Sequence, residues 1–163
     1  PDFAAPQQKL RRPFEFLAAV YRATGAEVVS VENGFHWQLQ RAGWRQHEYG
    51  PPTGHPDRLG AWTGASTMNR MVDLALSGLD DWFDGAKADL AGLAAEDEAA
   101  GAFAARAAEA LAPGQGAAIA AALAEGFGYD PATLARDWST EDRQGLAQTA
   151  VAFAALTPDF LLR

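Results

Sequence analysis

Cysteine is absent from the 163 residues, which excludes disulfides, thiolate metal sites and cysteine nucleophiles. The absence leaves the compartment open, because exported chains also dispense with cysteine. No apolar run approaches the roughly 18–20 residues that a membrane-crossing helix requires. Positive charge is scarce: 13 Lys and Arg stand against 21 Asp and Glu, a formal net charge of -8. The deficit is uneven, with seven basic against six acidic residues over 1–58 and six against fifteen over 59–163. Lys9, Arg11 and Arg12 are too few for a phosphate-binding footprint, so nucleic acid and anionic membrane surfaces are disfavoured as partners. The chain opens "PDFAAPQQ", with no Met and no basic-then-apolar leader, and reads as a piece of something longer.

The length suits one domain with a real core, and the periodicity that is present is helical. In "RRPFEFLAAVYRATGAE", Pro13 fits a first helical turn and Gly25 a C-terminal cap, giving a helix over 13–25. Phe14, Leu17, Ala18 and Tyr21 share a face, and Phe16 and Val20 widen it, so the helix needs partners on two sides. A short "AEVVSVE" could pass for a strand. Asn33 then offers a cap for a helix over 33–43 carrying Phe35, Leu39 and Ala42. Residues 49–63, "YGPPTGHPDRLGAWT", form a rigid loop, because Pro51 and Pro52 restrict the backbone and Pro56 drives His55 to an extended conformation. Thr63 or Ser66 can cap a helix over 65–84 whose stripe is Met68, Met71, Val72 and Ala75.

Residues 86–128 are alanine-rich helices, broken at Pro113-Gly114, with Leu90, Leu93, Phe103, Leu111, Ile119 and Leu123 as anchors. A last helix over 139–156 starts at a Ser139 and Asp142 capping pair and buries Leu146, Ala147, Ala150, Val151 and Ala154. The tail 157–163 docks as one helical turn, with Thr157 as cap, Pro158 at the first helical position and Phe160 buried. The fold class is all-α: an irregular bundle of six to seven helices with one long Pro/Gly/aromatic crossover loop.

Sites of chemistry are sparse. No G-x-S-x-G elbow, no G-x-G-x-x-G after a strand and no phosphate-cradling loop occurs, so no catalytic residue, cofactor or metal is assigned. His36, His47 and His55 lie near Glu48 and Asp57, but their spacing predefines no coordination geometry. The "AEDE" at 95–98 could hold calcium, yet lacks the spaced ligand pattern and reads better as a solvated turn. Trp37, Trp44, Tyr49 and Trp62 gather around the loop as an aromatic clamp or a stacking platform, whereas Trp82 and Trp138 stand isolated. The candidate ligand-binding set is therefore Trp44, His47, His55, Asp57 and Trp62.

Three stretches carry a resemblance. "KLRRPFEFLAAVYRATGA", "YGPPTGHPDRLGAWTGASTMNRM" and "AVAFAALTPDFLLR" together resemble the C-terminal third of the uncharacterised bacterial domain-of-unknown-function family numbered 1800. The shared positions are Arg12, Pro13, Glu15, Phe16, Arg22 and Gly25; Pro51, Pro52, Gly54, Pro56, Asp57 and Trp62; and Thr157, Pro158, Asp159, Phe160 and Arg163. His55 stands where the family has Tyr or Trp, which favours ring stacking over metal ligation there. The resemblance implies a missing N-terminal helical region as partner, leans towards an exported or envelope setting through sulfatase-like gene neighbours, and brings no catalytic assignment. Two functions compete. One is a helical binding or scaffolding subdomain of a larger protein, which calls for an exposed apolar patch on the first helix. The other is a hydrolase-like or metal-dependent enzyme whose pocket borders residues 47–62, with His47, Glu48, His55 and Asp57 as its polar groups.

Overall fold

The computed structural model describes residues 9–44, 64–79 and 85–162. Seven α-helices carry these residues: α1 (Pro13–Thr24), α2 (Gln38–Arg41), α3 (Ala65–Ser77), α4 (Ala100–Glu109), α5 (Gly116–Phe127), α6 (Thr140–Ala155) and α7 (Pro158–Leu161). The fold is all-α. Its β structure among the described residues is one two-residue antiparallel ribbon, β1 (Glu27–Val28) on β2 (Ala86–Lys87), with two isolated bridges. The crossover at 49–63 lies outside the described residues.

Helix α6 is the centre. Ala147, Ala150, Val151, Ala152, Ala154 and Ala155 are all buried, so its C-terminal half is enclosed by α1, α3, α4, α5 and α7 on all but the side of the exposed Phe153. Alanine makes this possible, because a bare methyl lets neighbouring helices approach while keeping the best helix propensity. Larger side chains come from the surround: Phe16 and Leu17 of α1, Met71 and Leu74 of α3, Phe103 of α4 and Leu123 of α5.

Helix ends are set by local chemistry. Pro13 occupies the first turn of α1, the Glu15 carboxylate accepts the Arg12 N–H (3.0 Å), and Gly25 ends the helix at φ 65°. At α6, Ser139 Oγ accepts the Asp142 N–H (3.0 Å) and donates to Asp142 Oδ2 (2.7 Å), a capping pair closed by the shorter acid. The second helical region differs from expectation. Residues Glu32–Trp37 form a wide π-helical turn before α2, and the Ser30 hydroxyl accepts the Asn33 N–H (3.2 Å), so Asn33 is inside the helix rather than its cap. In α3 the buried stripe is Met71, Leu74 and Ala75, while Val72 is exposed and Gly64, not Ser66, is the cap position. Helix α3 closes at Ser77, whose hydroxyl turns back to the Asp73 carbonyl (2.6 Å).

Side chains of α6 hold the connecting segments. Gln144 Oε1 accepts from the N–H groups of both Leu90 and Ala91 (2.9 Å each), its Nε2 donates to the Ala88 carbonyl (2.7 Å), and Gln148 Nε2 donates to the Leu79 carbonyl (2.7 Å). That segment turns Leu90 inward and leaves Leu93, an expected anchor, more than half exposed. Between α4 and α5, the Glu109 carboxylate accepts the N–H groups of Gly114 and Gly116, capping the next helix from the end of the previous one. A Cβ on Gly116 would come within 2.3 Å of the Ala105 carbonyl oxygen, so this corner admits no larger residue.

The two ends of the described chain clasp each other. Leu10 bridges to Leu162, the Arg11 N–H donates to the Leu161 carbonyl (2.7 Å), Arg11 Nε donates to the Phe160 carbonyl (2.6 Å), and Phe160 packs edge-on against Phe16. Thr157 precedes α7 as expected, but its hydroxyl donates back to Ala154 (2.7 Å) instead of capping the new turn.

Two substitutions test this packing. Gly116→Ala is expected to cost roughly 1–3 kcal/mol by overpacking, and Gln144→Leu about 1–3 kcal/mol by stranding the Ala91 N–H. Urea denaturation of each variant against wild type measures both.

Candidate functional site

Of the sequence-derived set, the structure describes Trp44; His47, Glu48, His55, Asp57 and Trp62 lie outside the described residues. Trp44 follows the end of α2. The Gly43 N–H reaches the Gln40 carbonyl, the Trp44 N–H reaches the Leu39 carbonyl (2.8 Å), and Gly43 sits at φ 81°, the hydrogen-bond pattern of a Schellman cap. The half-buried indole packs against the core with the Arg12 guanidinium over its ring at 5.2 Å, and Arg12 in turn pairs with Glu15 (2.9 Å). Trp44 is thus joined to the entry of α1. His36 is exposed on the π-helical turn, its Nε2 beside the Gln40 amide (3.3 Å). Among the described residues no three His, Asp or Glu side chains are grouped to share an ion.

The acidic turn at 95–98 is a structural ion pair. Glu98 accepts from Arg106 Nε and Nη2 (3.0 and 2.7 Å) and from the Ala95 N–H, and Arg106 also donates to the Leu93 carbonyl (2.7 Å). The Arg106 hydrogen bonds hold the Glu98 carboxyl below the usual carboxylate range and raise the guanidinium in return.

Two concave surfaces have aromatic walls. The first is an open depression of about 410 Å³ along α1, walled by Phe14, Ala18, Tyr21, Val28 and Phe35. Phe35 stands edge-on to Tyr21 (5.2 Å between centroids) and tilted against Phe14 (5.8 Å). Burial pushes the Tyr21 phenol well above its ordinary range. Phe14, read from the sequence as part of the inward stripe, is 41 % exposed at the rim.

The second is a cleft of about 300 Å³ between the end of α5 and the start of α6. Here Trp138, isolated in the sequence, meets Tyr129 with ring centroids 5.6 Å apart and planes at 89°. The turn between them folds because the backbone of 131–136 pairs with 96–101: Ala100 and Gly101 donate to Thr133 and Pro131, and Ala135 and Arg136 donate to Glu98 and Glu96. A helix-period reading has no means of finding that cross-link.

A family model described as a protein of unknown function (DUF1800) matches residues 1–162. The chain belongs to the DUF1800 family. No curated protein and no solved structure matches it. In this DUF1800 chain, two of the three motif stretches meet in space, since the Arg12-Pro13-x-Glu15-Phe16 run opens α1 and Phe160 of the Thr157-Pro158-Asp159-Phe160 tail packs on Phe16.

Because the folded-state pKa of Glu98 is depressed, its contribution to stability is full above the unfolded value near 4.3 and is lost as pH falls through the folded value. Glu98→Gln is expected to lose roughly 0.5–1 kcal/mol at neutral pH, small because the Arg106 side of the pair is half exposed to solvent. The difference from wild type should vanish in acid below the carboxylate range, as denaturation at both pH values would show.

Proposed function

We propose that this DUF1800 chain is a helical binding and scaffolding subdomain of a larger bacterial protein, and that its partner is a further helical region of the same protein. The observation that carries the reading is the α1 depression. Phe14 of α1 and Phe35 of the π-helical turn wall the depression beside Arg22, on the side of α1 away from the core, and Val29 and Val31 are exposed on the segment that follows. Contiguous exposed apolar surface of this kind marks an interaction face. Support for a cell-envelope setting comes from the family resemblance and its gene neighbours, with nothing in the fold opposed to it.

A scaffolding subdomain should lose contact energy through its exposed ring alone. Phe14→Asp in the full gene product is expected to weaken docking by about 1–2 kcal/mol, the value of burying half of a large apolar side chain. Hydrogen exchange should rise both in α1 and in a segment outside these 163 residues. Unchanged exchange everywhere outside them would overturn the reading.

A further inference from the structure

The α5–α6 cleft has a chemistry of its own. Tyr129 and Trp138 meet at a right angle and form a corner, and Phe127, two-thirds exposed, stands at the mouth with Phe153 edge-on behind it. Leu123 and Leu146 line the apolar part, and Glu141 and Asp142 the rim. Among the described residues that line the cleft there is no cationic side chain.

The Tyr129 hydroxyl donates to the Ala120 carbonyl (3.2 Å) and the Thr149 hydroxyl to the Gly145 carbonyl (2.8 Å), while Asp142 is engaged by Ser139. That leaves the Glu141 carboxylate and the Trp138 indole N–H beside the aromatic faces. Carboxylates can accept from sugar hydroxyls, but a saccharide stacks on a flat aromatic platform, which a right-angled corner does not supply. Perpendicular aromatic walls with a nearby carboxylate instead suit a cation with an apolar shell, held by the ring quadrupoles and the net charge.

Gly145 points the same way. It lies inside α6, where glycine weakens a helix relative to alanine. A Cβ there would meet nothing within 4 Å, so no packing contact requires the glycine. It lines this cleft and the neighbouring depression beside Lys87, Ala88 and Gln148, and a side chain there would narrow both.

We propose that this cleft is a binding site for a small organic cation, an ammonium group bearing methyl or short alkyl substituents, seated in the Tyr129–Trp138 corner with its charge facing Glu141. The site is separate from the α1 depression, and either assignment can fail alone.

The test is titration of the protein with choline and with its neutral isostere 3,3-dimethyl-1-butanol, followed through the Trp138 indole resonance. Choline is expected to bind saturably and about 3- to 5-fold more tightly than the isostere, the size of a solvent-accessible cation–π contact. Glu141→Gln, an exposed position, should weaken choline several-fold, and Gly145→Leu should abolish binding by filling the cleft. Gly145→Ala, expected to raise Tm by about 2 °C, shows separately that the helix accepts a side chain there. Equal binding of the isostere, unchanged choline affinity in Glu141→Gln, a response to glucose or cellobiose in place of choline, or no response to choline at tens of millimolar would each overturn the proposal.

Discussion

The architecture depends on how closely helices can approach α6. Over its last three turns the buried positions are alanines and one valine, so the helix contributes little apolar area of its own. Stability there comes from the large residues its neighbours bring up to it, Phe16, Met71, Phe103 and Leu123 among them, which fill the space that the methyl groups leave. A dense interior with small residues at the axis tolerates little added volume, because close-packed cores relax only partially when atoms are inserted. The same tightness recurs at the α4–α5 corner, where Gly116 lies against the Ala105 carbonyl.

An alanine axis leaves polar groups to be satisfied where the chain turns, and α6 supplies the partners itself. Gln144 and Gln148 satisfy backbone groups of 79–91, and Glu109 does the same for the start of α5. These bonds are individually modest, yet a buried backbone N–H without an acceptor is costly, so each fixes a connection that hydrophobic burial would leave undetermined. They explain why α6 is not simply amphipathic: at Gln144 and Gln148 its polar side is occupied by loop backbone.

Local signals were legible in the sequence wherever the cause is local. Pro13, Gly25 and the Ser139–Asp142 pair act within one turn of themselves, and the all-α class follows from them and from the period of the apolar residues. Positions decided by distant chain were not legible. Val72 and Leu93 look like core by spacing but are exposed, and for Leu93 the cause is Gln144, which holds the backbone of 90–91 with Leu90 turned inward. Trp138 looks isolated because the backbone pairing of 131–136 with 96–101 brings Tyr129 beside it. For the candidate site, Trp44 is legible as an aromatic near the loop, but the Arg12 stacked on it comes from a helix start more than thirty residues earlier.

The clasp between the two ends of the described chain links the family motifs to the α1 depression. Arg11 reaches the Phe160 carbonyl and lies over its ring at 4.7 Å, while Arg12, its neighbour, caps α1 through Glu15 and covers Trp44. Adjacent arginines thus fix the two flanks of the same helix entry, one against the tail and one against the end of α2. With both flanks held, α1 cannot rotate to bury Phe14 without breaking either contact. The exposed ring is therefore imposed by the motif residues around it rather than left over from incomplete packing, and that is the physical ground for treating the α1 face as a built surface.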